Sequence, residues 1–82
     1  MYYLFTFRSR TNALKFAESL KREGEFAQII STPSQIANGC GLSVKTTNPE
    51  QGKRALSYGR YATFIGMYLV KDYGGTLNII KR

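Results

Sequence analysis

Apolar residues cluster or alternate with polar ones in five short segments that have the character of β-strands. Aromatic, β-branched and aliphatic residues dominate them, as is typical of strands. The fourth segment is almost continuously apolar, which favours a central strand, and the turn residues Asp72–Gly75 separate it from the fifth. The predicted strands are Tyr2–Phe7, Phe26–Thr32, Leu42–Thr46, Tyr61–Lys71 and Thr76–Lys81.

A helix is predicted between the first two strands. Its apolar residues follow the i, i+3, i+4, i+7 spacing of one helical face. Ser9 or Thr11 can cap its start by accepting from free backbone N–H groups, and Gly24 ends it because glycine adopts the left-handed conformation without steric cost. The apolar face consists of Ala13, Phe16, Ala17 and Leu20.

A second helix is predicted between the third and fourth strands. Asn48 can cap it, Pro49 is tolerated at its first position, and Glu50 suits the positive end of the helix dipole. The helix should run to about Tyr58, ahead of Gly59. Its apolar face is weak and consists mainly of Ala55, Leu56 and Tyr58.

The element order is β-α-β-β-α-β with an added C-terminal strand, which predicts an α+β, ferredoxin-like sandwich forming a single domain over residues 1–82. The connection between the second and third strands should lie at the same end as the start of the first helix. We therefore expect Cys40 near Arg8, Ser9 and Arg10. The alternating Tyr3, Phe5 and Phe7 should pack under the helices, against Leu14 or Phe16 and Leu20.

Composition narrows the functions available to the chain. Twelve Lys and Arg against five Asp and Glu give a net charge of +7, so anionic partners are candidates, although a basic surface alone has no specific meaning. With one Cys and no His, the sequence predicts no intrachain disulfide, no His-based catalytic site, no metal and no cofactor. A reducing, cytoplasmic location fits the single Cys, and no segment is long and apolar enough for a signal peptide or membrane span.

Cys40 is the chemically distinctive residue because Gly39 and Gly41 flank it. Glycines permit unusual backbone angles and the close approach of another molecule. A thiol is nucleophilic as the thiolate, and a helix N-terminus or a guanidinium lowers its pKa below the usual value of about 8.5. Arg8 and Arg10 would supply that guanidinium. The alternative is an inert, buried thiol in a turn.

Several short segments resemble the putative selenium/sulfur carrier protein-like family, whose members are small cytosolic bacterial domains. The resemblance covers about two-thirds of the chain, through the second helix, and depends mainly on a Pro-x-x-Ile-x-x-x-Cys-Gly motif. The hairpin over residues 64–81 does not map to the family pattern. The matching segments are Thr6-Phe7-Arg8-Ser9, Ala13-Leu14, Thr32-Pro33 with Ile36, and Cys40-Gly41-Leu42.

The resemblance implies that Cys40 carries sulfur or selenium as a persulfide or selenosulfide, with Pro33, Gly39 and Gly41 shaping its loop. Its partners would be donor and acceptor proteins, and the chain would be a carrier rather than an enzyme. One thiolate suffices for this chemistry. The exposed last strand could also pair with a second copy to form a homodimer.

Two other functions remain open at this level. A regulatory domain of the same fold could bind an anion or a protein, using Arg8 and Arg10 beside the helix N-terminus, unless these arginines lie in a merely solvated loop. An RNA-binding module shares the element order and could use Tyr3, Phe5 and Phe7. The third strand disfavours it, because that strand has neither an aromatic residue nor a Lys/Arg-Gly-Phe motif.

Overall fold

A computed structural model describes residues 1–36 and 41–82. Its elements occur in the predicted order, and the structure is of the mixed α+β class. The strand β2 is shorter than predicted, and β4 begins and ends later. The elements are β1 (Tyr2–Phe7), α1 (Arg10–Arg22), β2 (Gln28–Ser31), β3 (Leu42–Thr46), α2 (Pro49–Tyr58), β4 (Phe64–Tyr73) and β5 (Thr76–Lys81).

The strands form one antiparallel sheet in the order β2-β3-β1-β4-β5. The first strand lies in the middle and pairs with β3 on one side and β4 on the other. At its C-terminal end, Phe7 lies opposite both Leu42 and Phe64. The chain therefore enters β3 and β4 at the same end of the sheet from which it leaves β1.

Both helices contribute to a core on one face of the sheet, and this core contains the predicted aromatic stripe. Phe5 and Phe7 are fully buried with Phe16 and Leu20, and Tyr3 packs at the margin. The ring centroid of Phe16 lies 4.9 Å from that of Phe5 and 5.1 Å from that of Phe7. Burial of each such ring stabilises the fold by about 1.5–3 kcal/mol. The prediction that this face packs under the helices is confirmed.

Leu14 and Tyr58, two apolar residues that the sequence predicts to face the core, are exposed instead. Leu14 is 48% exposed, since its neighbour Ala13 occupies the inward position, and Tyr58 is 84% exposed at the last turn of α2. The helix α2 instead buries Ala55 and Gly52. A Cβ at Gly52 would overlap the ring of Phe5, so this glycine lets the helix approach the sheet.

The other face of the sheet carries a second apolar cluster without helix residues. Leu4 and Val70 are fully buried there, beneath a surrounding ring of partly buried side chains. Because these surrounding side chains cover Leu4 and Val70, this face does not expose a large apolar surface. The surrounding residues are Tyr2, Ile30, Ile36 and Ile79, together with the buried Tyr68.

Candidate functional site

The candidate site is the end of the sheet where β1 stops. Four parts of the chain meet there: Arg8–Arg10 at the start of α1, Gly41 before β3, the described start of the β2–β3 connection, and residues 59–63 between α2 and β4. We call this surface the arginine end, after Arg8, Arg10 and Arg60, all of which are exposed.

Gly41 returns the chain to the sheet under tight geometric constraints. Its φ is +92°, and a Cβ added at this position would lie 2.5 Å from the carbonyl oxygen of Phe7 and 3.6 Å from the Cα of Arg8. A side chain would be strained by the backbone angle and blocked by the neighbouring strand. The residue after Cys40 must therefore be glycine for β3 to start directly beside Arg8.

Of the two predicted N-cap candidates of α1, Ser9 and Thr11, the structure has Ser9. Ser9 has extended backbone angles, and its hydroxyl accepts from the backbone N–H of Asn12 at 3.3 Å. This bond satisfies one of the four N–H groups that a helix leaves free at its start. The cap fixes the direction in which α1 leaves the arginine end, with Arg8 and Arg10 on either side of it.

Thr63 ties the segment before β4 to the start of α1, and sequence reasoning did not identify it. Its carbonyl accepts from the N–H of Arg8 at 3.0 Å, and its hydroxyl accepts from the N–H of Ser9 at 3.1 Å. Its own N–H and hydroxyl donate to the side-chain oxygen of Asn12. This network holds Thr63, three residues after Arg60, against the helix start. The partners are 51 to 55 residues apart in sequence, and no local pattern indicates such pairs.

Arg8 and Arg10 lie where the helix dipole disfavours them. Arg10 is the first residue of α1, and the first turn of this helix contains no acidic residue. Cations near a helix N-terminus are destabilised by about 0.3–1 kcal/mol. Neither arginine forms an ion pair within the part of the chain that the structure describes. The arginine end thus keeps positive charge at a place where folding stability favours negative charge.

Pro33 lies in the described start of the β2–β3 connection. Its carbonyl accepts from the N–H of Ile36 at 2.9 Å, which forms a tight turn, and Ile36 packs on the helix-free face of the sheet. Just before Pro33, the hydroxyl oxygen of Thr32 lies 3.0 Å from the hydroxyl oxygen of Ser43. The connection thus leaves β2 along this face and re-enters the sheet at Gly41.

The structure brings Arg8, Ser9, Arg10 and Gly41 together at one end of the sheet. The remaining predicted site residues, Gly39 and Cys40, lie outside the described residues. Their expected place beside Arg8 stays a prediction, which draws on the positions of Pro33 and Gly41.

A groove of about 230 Å³ runs between the two helices and reaches Gly59 and Tyr61 of the arginine end. Burial raises the pKa of Tyr61 above its usual 10.0, and the positive charge of Arg22 partly opposes this. The groove mixes a carboxylate with cations and so has no single charge preference. Its lining is Lys15, Glu18, Ser19, Arg22, Ala55, Tyr58, Gly59 and Tyr61.

Among the residues that the structure describes, no group of three or more acidic or cysteine residues lies together as a metal site would require. Within residues 1–36 and 41–82, neither helix has the length and hydropathy needed to cross a bilayer. Of the β1 aromatic residues that an RNA-binding sheet could have used, Phe5 and Phe7 are buried under the helices.

Comparison with known proteins gives one clear relationship. A family model described as putative Se/S carrier protein-like matches residues 2–58, which run from the first residue of β1 to the last residue of α2. No curated protein and no solved structure shows a significant match to the chain. The matched region contains Cys40 and most of the arginine end, and it stops before the β4–β5 hairpin. The chain therefore belongs to the putative Se/S carrier protein-like family.

Proposed function

We propose that this protein carries sulfur or selenium on Cys40, as a persulfide or selenosulfide, between a donor and an acceptor protein. The family match carries the proposal, because it spans Cys40, the single cysteine of the chain. The position of Gly41 supports it, since Gly41 follows Cys40 directly and lies against Phe7 and Arg8.

The chemistry needs one nucleophile on the carrier. The Cys40 thiolate attacks the outer sulfur of a donor persulfide, a new S–S bond forms on Cys40, and the donor leaves as its thiolate. An acceptor thiolate then attacks the outer sulfur, and Cys40 leaves as the thiolate again. Each step exchanges one S–S bond for another, so no external oxidant or reductant is consumed.

Arg8 and the start of α1 are the proposed source of thiolate stabilisation. A guanidinium within about 4–6 Å and a helix N-terminus both lower a thiol pKa. Arg8 is exposed and makes no ion pair within the described residues, so its charge is available to a neighbouring anion. Ser9 and Pro33 act by shaping this end, through the cap and the turn described above.

Three further features belong to the proposal. The strand order β2-β3-β1-β4-β5 with both helices on one face supports a ferredoxin-like topology, to which β5 is an added edge strand. A single cysteine suits a reducing cytoplasm, and the family resemblance suggests a bacterial source.

A homodimer through β5 is the proposed assembly. The Arg82 N–H donates to the Met67 carbonyl. In the antiparallel register of β4 and β5, every second residue counted back from Arg82 therefore directs its backbone N–H and C=O toward β4. The backbone N–H and C=O groups of Leu77, Ile79 and Lys81 point outward, away from β4. An antiparallel second copy could pair Ile79 with Ile79 and Leu77 with Lys81. Sedimentation velocity should give twice the chain mass, and Ile79→Pro should give the monomer. A monomer at all concentrations for the unaltered chain would exclude this assembly.

The proposed activation predicts a pH profile for Cys40. Alkylation by a small reagent should show an inflection about one pH unit or more below 8.5 in the native chain, and an ordinary one in the denatured chain. Arg8→Ala should raise the native inflection, because the guanidinium no longer favours the thiolate. Lys21→Ala, at the other end of α1, removes the same charge and should leave the inflection unchanged. A thiol that resists alkylation until the chain unfolds would rule out the carrier function.

A further inference from the structure

We propose that the arginine end docks an acidic protein surface, and that Arg60 belongs to this interface together with Arg8 and Arg10. This inference rests on the proposed carrier function, because it names the chemistry of the donor or acceptor. Arg60 lies outside the matched family region, residues 2–58.

Acidic residues are concentrated away from the arginine end, together with cations such as Lys21, Lys53 and Lys71. Four of the five acidic residues lie in the loop after α1, at the start of α2 and near the end of β4. The fifth, Glu18, lies on α1, where the helical rise places it about 12 Å beyond Arg10, and it lines the groove between the helices with Gly59 and Tyr61, the neighbours of Arg60. The separation of Glu18 from Arg10 along the helix exceeds the screening length of about 8 Å at physiological salt. The acidic residues are Glu18, Glu23, Glu25, Glu50 and Asp72.

Arg60 reaches this surface through tertiary structure rather than sequence proximity. It follows the last turn of α2 and its C-cap Gly59, and the Thr63 hydrogen bonds to Arg8 and Ser9 hold its segment against α1. The Tyr61 ring packs on Phe7, with centroids 5.6 Å apart. Three exposed arginines from two segments therefore lie at the same end of the sheet. Guanidiniums bind carboxylates bidentately and are favoured at protein interfaces.

An acidic protein surface fits this face better than a nucleic acid does. A nucleic-acid site typically engages about 6–10 phosphates, whereas this face offers three arginines. Single-stranded RNA is bound on a succession of stacking platforms, but Phe5 and Phe7 are buried and Tyr58 is the one exposed ring within two residues of Arg60. A protein partner is also what a carrier must meet in order to load and unload, and complementary charge raises the rate of such encounters.

The test uses the full-length Cys40→Ser chain, so that it does not depend on sulfur chemistry. A fluorescent hexaglutamate peptide is titrated against this chain and against two double variants in the same background. One is Arg8→Glu with Arg60→Glu, and the other is Lys21→Glu with Lys53→Glu. Both double variants lower the net charge equally, but only the first alters the arginine end. Circular dichroism confirms that each variant is folded.

We expect the arginine variant to bind the peptide about tenfold more weakly, and the lysine variant to bind nearly as the parent does. Amide NMR shifts should change at Ser9, Gly41 and Thr63. Equal weakening by both variants, or no binding by the parent, would overturn the proposal. Tighter binding of an RNA oligonucleotide of equal charge would identify a nucleic-acid surface instead. A failure of sulfur loading on Cys40, by contrast, would leave this peptide result unchanged.

Discussion

At the scale of single residues, Gly41 is the most constrained position at the arginine end. Its left-handed backbone angle excludes most side chains, and the Phe7 carbonyl occupies the space that a Cβ would need. Both restrictions act at the point where β3 joins the sheet, one residue after Cys40. The backbone of this glycine thus determines where the β2–β3 connection ends.

Gly41→Ala should lower the free energy of unfolding by about 2–3 kcal/mol, because backbone strain and the clash with Phe7 add together. Gly24→Ala is the matched control. Gly24 also has a positive φ, of 78°, but nothing lies within 4 Å of an added Cβ, so we expect a loss of about 1 kcal/mol. Urea denaturation measures both values. Equal losses would mean that the contact between Gly41 and Phe7 contributes nothing.

The roles of single residues were predicted correctly from the sequence where they depend on neighbouring residues in the chain. Ser9 caps α1, Asn48 caps α2 by accepting from the N–H of Gln51, and Gly24 ends α1 with a positive φ. Each of these follows from the chemistry of one side chain and the backbone within three or four residues. Thr63 was missed because its partners are reached only after the sheet has formed.

At the scale of elements, the helix α1 begins against its own electrostatics. Its first residue is Arg10, its first turn lacks an acidic residue, and its last turn holds Lys21 and Arg22. The last turn follows the dipole rule and the first does not. Residues that violate a local stability rule are often retained for function, and the docking proposal gives Arg10 such a function.

Arg10→Glu should therefore stabilise the fold by about 0.5–1 kcal/mol, because it replaces an unfavourable charge at the helix start with a favourable one. Lys21→Glu makes the same change in net charge at the other end of the same helix and should destabilise. Urea denaturation of the two variants at low salt gives the comparison. If the free energy of unfolding changed in the same direction in both variants, net charge rather than the helix dipole would govern the effect.

The elements themselves were largely predictable from sequence, but their exact extents were not. β2 ends at Ser31 because its partner β3 begins at Leu42, which lies opposite it. β4 begins at Phe64 because the preceding Thr63 is engaged with α1. The inward face of α2 depends on Gly52, whose role requires the ring of Phe5. Such boundaries are set by neighbouring elements and not by the segment itself.

At the scale of the whole molecule, antiparallel topology accounts for the candidate site. It brings the start of α1, the re-entry at Gly41 and the segment before β4 to one end of the sheet. It also places four of the five acidic residues, all but Glu18, away from this end. The element order was enough to predict that the β2–β3 connection lies at the same end as the start of α1, where Gly41 is found, whereas the contribution of Arg60 needed the tertiary contacts.

Transfer of sulfur to Cys40 tests the account most directly. The full-length chain is incubated with a cysteine desulfurase and cysteine, and its intact mass is measured without reductant. We predict a gain of one sulfur atom that a reducing thiol removes, and no gain in the Cys40→Ser chain, because no other cysteine is present. An unchanged mass for the native chain, or an equal gain in the serine variant, would contradict the assignment of Cys40 as the carrier.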